Sequence, residues 1–300
     1  MLLGHAGQHS LARSGLGYAL RKANAKRNGM DPADHIKHVP HVQTEALRVV
    51  FGNAWSKFIK SAVLSRGESA PLILAALFEI KAWHPWLEEA ERLLSLAERD
   101  KVRRKRHVSD REELVLAYAL HRLVMGSFLL CDPAGIELER DLLGRPFVQG
   151  DEVNTSLSHT SGAIAVAVSP HGFVGIDIEP AMRAKELPGI ASVVLHASEV
   201  VTISRLPEAA RAQALLALWV RKEALLKASG IGLVREMHSF EAPHGQPVGL
   251  PAADGSQGVA AIAHMLEAGS SWVAAIAMLP EARFHAAWLL PQDMLSGLDR

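Results

Sequence analysis

Apolar positions in the first third of the chain recur at helical spacing. Leu47, Phe51, Ala54, Trp55, Phe58 and Ala62 fall on one stripe, with Arg48, Lys57 and Lys60 at its flanks, and predict an amphipathic helix that packs against its own domain. SRGES then reads as a linker. Beyond it the pattern divides into two loosely parallel halves. The first predicts a strand over Leu72 to Ala82, a helix-rich basic stretch from Glu89 to Leu130, a GRP turn and a strand from Ala163 to Val168. The second predicts a strand from Val174 to Ile178, helices including Arg211 to Ala228 closed by Gly230 and Gly232, and a final strand at Trp272 to Met278. SGAIAVAVS in the first half is echoed by SSWVAAIAML in the second. The expectation is an α+β chain of two similar subdomains, residues 71–172 and 173–290, preceded by an N-terminal extension, residues 1–70, of helical or disordered character and unassigned role.

Composition narrows the classes. The chain has 300 residues, 49% of them hydrophobic, enough for two ordinary domains, or one large one, with a well-buried core. Lys plus Arg and Asp plus Glu number 32 each, so no bulk basic field points to nucleic acid. The single cysteine, Cys131, excludes an internal disulfide and any Cys-rich zinc site, and fits a reducing cytoplasm. No apolar run approaches the roughly 20 residues of a membrane-spanning helix. The first 30 residues hold five Lys or Arg and no acid, which suits a transit peptide, a disordered tail or an over-long start with Met30 as the alternative. His35, His38 and His41 stand three apart, but Pro40 breaks any helix that would align them.

Four polar constellations carry candidate chemistry. In VGIDIEP, Asp177 and Glu179 share one face of a strand while Val174, Ile176 and Ile178 share the other, so the pair is either solvated or held by a cation. In LWVRKEALLKASGIGL, Glu223 and Lys227 are one helical turn apart with Trp219 a turn before them. An anion-attracting set comprises Lys101, Arg103, Arg104, Lys105 and Arg106, with Arg140 and Arg145 bracketing RDLLGRP. NTSLSHT, with Ser156, Ser158, His159 and Thr160, forms a polar island before an apolar strand, where a lone histidine suits a loop or a cap. Taken together these are hard oxygen ligands for a small divalent cation, cationic groups for phosphates, and a glutamate and lysine on one helix. They point to magnesium, a diphosphate substrate and phosphoryl-type transfer.

GIDIE at Gly175 to Glu179, followed by WVRKEALLK at Trp219 to Lys227, resembles the bipartite signature of the 4′-phosphopantetheinyl transferases of the Sfp type, with Asp177 and Glu223 46 positions apart. ERDKVRRKRH, RDLLGRPFV and SLSHT resemble that family's basic helix, its G-K-P turn and its N-x-S-H-S segment, and the likeness extends over about residues 73–285. The resemblance implies a monomeric pseudo-dimer of two α+β subdomains with coenzyme A in the cleft between them. It implies transfer of the 4′-phosphopantetheine arm to a serine of an apo acyl or peptidyl carrier protein, with release of 3′,5′-ADP. By the same likeness Asp177, Glu179 and Glu223 hold magnesium, Glu223 acts as base directly or through a water, and Lys227 meets the leaving phosphate oxygen. Lys101, Arg140, Arg145, Ser158 and His159 match positions that bind coenzyme A phosphates, and Lys222, in the WVRKEALLK motif, is counted with them as binding coenzyme A. Position 220 is valine where many members carry serine or threonine, and Arg145 replaces the commoner lysine. The competing expectations are a noncatalytic coenzyme A or carrier-protein binding module and an unrelated magnesium-dependent phosphohydrolase.

Overall fold

The computed structural model describes residues 45–64, 72–142, 144–148, 153–230, 236–250 and 258–291. The basic N-terminal run, the three spaced histidines and the SRGES linker lie outside those residues. The architecture is α+β, in two compact units. One takes in the described chain up to Leu72, then Phe78–Glu137 and the stretch from Leu289; the other takes in Ile73–Leu77 and Leu138–Trp288.

The first unit is helical: α1 (Glu45–Leu64), α2 (Leu87–Leu93), α3 (Leu96–Arg103) and α4 (Val108–Leu129). The expected stripe of α1 is buried at every position from Leu47 to Ala62. Its Phe51 ring lies 6.0–6.3 Å from Trp55, Phe78 and Trp83, and Trp83 in turn donates its indole N–H to the Leu289 carbonyl at 3.1 Å. Residues assigned from sequence to an extension thus supply a helix to the core of this unit. Ser95 and Glu98 form a capping box that starts α3, and Glu98 also accepts from the buried Arg122 of α4 at 2.6 Å. Arg122 completes its bonding on the carbonyls of Pro133 and Ile136, so one guanidinium ties α3, α4 and the following loop together.

The second unit holds two sheets. One runs β10-β1-β5-β4-β3-β2 and the other β6-β9-β8-β7, from β1 (Leu72–Glu79), β2 (Leu138–Arg140), β3 (Pro146–Val148), β4 (Asn154–Thr160), β5 (Ala163–Ser169), β6 (Val174–Pro180), β7 (Pro247–Gly249), β8 (Ala260–Leu266), β9 (Trp272–Met278) and β10 (Arg283–Trp288). Helices α5 (Ala197–Ser204) and α6 (Glu208–Ser229) lie between β6 and β7 in sequence. The two echoing segments are β5 and β9, one in each sheet. Residue 172, expected at a subdomain boundary, falls inside this unit. The reason is packing: Ala163, Ala165 and Ala167 of β5 share one core with Val174, Ile176 and Ile178 of β6.

That core uses one face of the second sheet, and α6 covers the other. On β9 Ala274 and Ile276 join the first core, while Val273, Ala275 and Ala277 pack with Leu215, Leu216, Leu225 and Leu226 of α6. On β6 the alternation leaves Gly175, Asp177 and Glu179 on the side of α6. Gly175 is required there by contact, since a Cβ on it would lie 2.0 Å from the Ala224 carbonyl oxygen and 2.5 Å from the Ala228 nitrogen. The helix backbone therefore rests directly on the strand, two residues before Asp177.

Candidate active site

Asp177 and Glu179 project from β6 toward α6, whose close approach over Gly175 brings Lys227 into reach. The Lys227 ammonium donates to Asp177 Oδ1 at 2.7 Å, and Ser158 of β4 donates to the same oxygen at 2.8 Å. Asp177 Oδ2 is buried and has no partner among the described residues. Glu179 is held on both oxygens: Arg183 contacts Oε1, and the Thr160 hydroxyl donates to Oε2 at 3.3 Å. The Arg183 guanidinium also lies over the Trp219 ring, 4.8 Å from its centroid.

Glu223 stands one turn before Lys227 on α6. Burial pushes its pKa up from 4.5 to about 7, the Asp177 charge adds to the rise, and Lys227 opposes it. Glu179 is also pushed up by burial, against its Arg183 hydrogen bond and together with Asp177. Three carboxylates thus face two cationic side chains, and burial first, then repulsion from Asp177, favours the neutral forms of Glu179 and Glu223. Among the described residues no three His, Cys, Asp or Glu stand close enough to hold a metal unaided. Two of these acids meet side-chain cations from other elements instead.

A cleft of about 150 Å³ opens beside this cluster, lined by Arg140, Gly144, Arg145, Pro146, Ser156, Leu157, Leu226, Lys227 and Gly230. Arg140 leaves β2 and donates to the Gly144 carbonyl at 2.9 Å. Arg145 follows Gly144, which has φ 86°, a left-handed turn that glycine adopts without strain. The Arg145 guanidinium reaches Asn154 Oδ1 and lies against Gly230, the left-handed cap of α6, where an added Cβ would come 3.0 Å from Nη1. Arg140, Arg145 and Lys227 on one small cleft favour an anionic occupant.

Residues 173–277 match the model of the 4′-phosphopantetheinyl transferase superfamily. Over that segment, about a third of its length, the chain is similar to that superfamily. The matched segment runs from the start of β6 nearly to the end of β9 and contains Asp177, Glu179, Glu223 and Lys227. A phosphopantetheinyl transferase of Thraustochytrium sp. is 30% identical over 171 residues, covering 51% of this chain and 59% of that protein. The 4′-phosphopantetheinyl transferase HetI of Nostoc sp. is 27% identical over 119 residues, 38% of this chain and 50% of that one. The 4′-phosphopantetheinyl transferase gsp of Aneurinibacillus migulanus is 29% identical over 135 residues, 45% and 55% respectively. The chain spans about half the length of the curated relatives it matches.

In the structure the expected site residues separate into three groups. Asp177, Glu179, Glu223 and Lys227 come together, and Arg140 and Arg145 line the cleft beside them. Lys101 sits exposed in the last turn of α3, in the other unit, and His159 is exposed on β4 on the opposite strand face from Ser158. Ser158 is buried, and its hydroxyl is committed to Asp177. Lys222 is displaced from the role expected of it. It is fully buried, and its ammonium is spent on the carbonyls of Val194, Met237 and Phe240 at 2.7–2.9 Å and on Glu199 at 2.6 Å. A side chain bonded and buried in this way braces α6 against its neighbours and faces no cleft.

Arg183, Trp219 and Thr160 at the acids, and Asn154 at Arg145, were not singled out as site residues. Arg183 stands four positions after Glu179, the spacing of a helical ion pair, but Pro180 marks the strand's end and hides the 3-10 turn (Ala181–Lys185) that folds Arg183 back. NTSLSHT is a strand, not a loop: its Ser156, Ser158 and Thr160 occupy the inner face and meet β6. Polar residues on a buried face erase the apolar alternation by which strands are read.

Proposed function

We propose that this protein transfers the 4′-phosphopantetheine arm of coenzyme A to a serine hydroxyl of an apo acyl or peptidyl carrier protein, in a magnesium-dependent reaction that releases 3′,5′-ADP. The observation that carries the reading is the meeting of Asp177 and Glu179 on β6 with Glu223 and Lys227 on α6, beside a cleft bearing Arg140 and Arg145. The activity borne in the names of the matched relatives agrees with it.

The donor set fits a magnesium ion. Asp177, Glu179 and Glu223 offer hard carboxylate oxygens, and Asp177 Oδ2 is buried and has no partner among the described residues. As they stand the three are not gathered closely enough to form a metal site by themselves, so one or two of them would hold it, with waters and substrate oxygens completing its shell. Bound there, magnesium supplies charge neutralisation for the diphosphate and polarises the phosphorus under attack. The chain's own groups do the rest. Arg140 and Arg145 grip phosphate oxygens at the mouth of the cleft. Glu223 takes the proton of the carrier serine, directly or through a water. The serine oxygen forms a bond to the pantetheine-linked phosphorus, the bond from that phosphorus to the bridging oxygen breaks, and Lys227 meets the charge on the departing 3′,5′-ADP. With this reading go a monomeric pseudo-dimer, a cytoplasmic setting where coenzyme A is available, and roles for Lys101 and His159 on the coenzyme A phosphates. Among the described residues no helix is long and apolar enough to cross a membrane.

Incubation with coenzyme A, magnesium and a panel of apo acyl and peptidyl carrier proteins tests the proposal by mass spectrometry of the carrier. A carrier gaining the mass of the arm, lost with Glu223→Ala, supports it. No gain on any carrier class refutes it; tight coenzyme A binding without product then marks a binding module, and phosphate release without carrier marks a phosphohydrolase.

A further inference from the structure

Strand β4 meets β6 through its side chains, as three rungs at alternate positions. The Ile176 N–H donates to Ser156 Oγ at 3.1 Å, Ser158 donates to Asp177 Oδ1 at 2.8 Å, and Thr160 donates to Glu179 Oε2 at 3.3 Å. The middle rung joins two buried groups, Ser158 at 7% and Asp177 at 4% exposure. Because Lys227 shares that same Asp177 oxygen, two donors arriving from different elements fix the plane of the carboxylate. Its other oxygen, Oδ2, is left buried and unpartnered. A buried acceptor left bare is destabilising, so the arrangement is a poor one for stability alone. It suits a carboxylate whose second oxygen serves a cation. Bonds from neighbours to the oxygen that faces away from a metal are the ordinary way in which a protein orients a ligand.

We propose that Ser158 is a positioning residue for a divalent cation: with Lys227 it engages Asp177 Oδ1 and so presents Oδ2 to the ion, while Thr160 orients Glu179 in the same manner. The proposal rests on the transferase reading for the use of that ion, and it moves Ser158 from coenzyme A to the carboxylates. A hydroxyl already donating to a buried carboxylate has no second proton to give a phosphate.

Manganese binding to the full chain, followed by electron paramagnetic resonance and calorimetry without coenzyme A or carrier, is the direct test. Ser158→Ala weakens manganese by ~10- to 100-fold, the range expected when a partner of a metal ligand is removed. The isosteric pair Ser158→Thr and Ser158→Val separates bonding from packing: the hydroxyl-bearing variant stays within about threefold of the parent and the valine variant falls with alanine. Coenzyme A affinity measured in EDTA stays the same in all three. The pair also serves if the alanine variant fails to fold, because thermal melts of threonine and valine variants can be matched before metal is added. A merely structural rung would move those melts and leave manganese affinity alone. Unchanged manganese affinity in the alanine and valine variants, no manganese binding by the parent, or a loss of coenzyme A affinity exceeding that for manganese would each overturn the proposal. A parent chain that binds manganese in this Ser158-dependent way yet modifies no carrier would leave it standing and remove the transferase reading.

Discussion

Glu223→Gln should make the protein more stable as pH rises, a reversal of what removal of a hydrogen-bonded acid normally does. In the folded state burial, reinforced by Asp177 and Glu179 and opposed by Lys227 and Arg183, lifts the Glu223 pKa from 4.5 to about 7. Unfolded, the group returns to its ordinary value. Below pH 4.5 both states keep the proton and Glu223 contributes no pH dependence. Between 4.5 and about 7 the folded state holds a proton that the unfolded state has released, so stability falls with rising pH. Above that range both are ionised and the whole penalty is felt. At about 1.4 kcal/mol per pH unit, the interval amounts to about 3 kcal/mol. Glutamine keeps the shape and cannot ionise, so the stability difference between variant and parent should grow by about 3 kcal/mol from about pH 4 to pH 8. Urea denaturation across that range in EDTA measures it, and magnesium should shrink the difference at the alkaline end by stabilising the ionised parent. Parallel pH profiles for parent and variant would refute the account of the charge cluster.

Three further outcomes follow from the same geometry. Gly175→Ala pushes a methyl into the backbone of α6, which cannot yield, and should cost about 3 kcal/mol or more in denaturant unfolding; a neutral result would show that helix and strand are not in contact there. Lys222→Met leaves the Glu199 carboxylate and three carbonyls buried without their cation, and should lower stability by about 3–5 kcal/mol, read as a drop in the urea midpoint. Arg145→Ala removes a charged donor from the cleft and should weaken coenzyme A by about tenfold or more in calorimetry with EDTA, with the salt dependence of binding reduced; unaltered affinity would take Arg145 out of the phosphate contacts.

What could be read from the chain without its fold divides along physical lines. The α1 stripe, β6, β9 and α6 were legible because each buries one apolar face whose period is that of its own element. Asp177, Glu179, Glu223 and Lys227 were legible because the pairs lie two and four positions apart, spacings that put side chains on one face of a strand and one face of a helix. Lys222 was not, because it neighbours Glu223 in sequence while a helix turns about 100° per residue and carries it to the buried side. The division into units was not legible either, since it depends on β5 and β6 sharing a core, a tertiary fact with no local signature. The same distinction explains how a strand can tolerate two acids on one buried face. Their countercharges arrive from Lys227 on α6 and from Arg183 on the turn after β6, so the order of the cluster depends on where α6 sits. That seat is set by Gly175, which lets the helix backbone down onto the strand, and by Lys222, which ties the helix to the segments around Val194 and Phe240. A glycine and a lysine that touch no candidate ligand therefore belong to the chemistry as much as the acids do, and their spacing from those acids is a constraint of packing before it is one of catalysis.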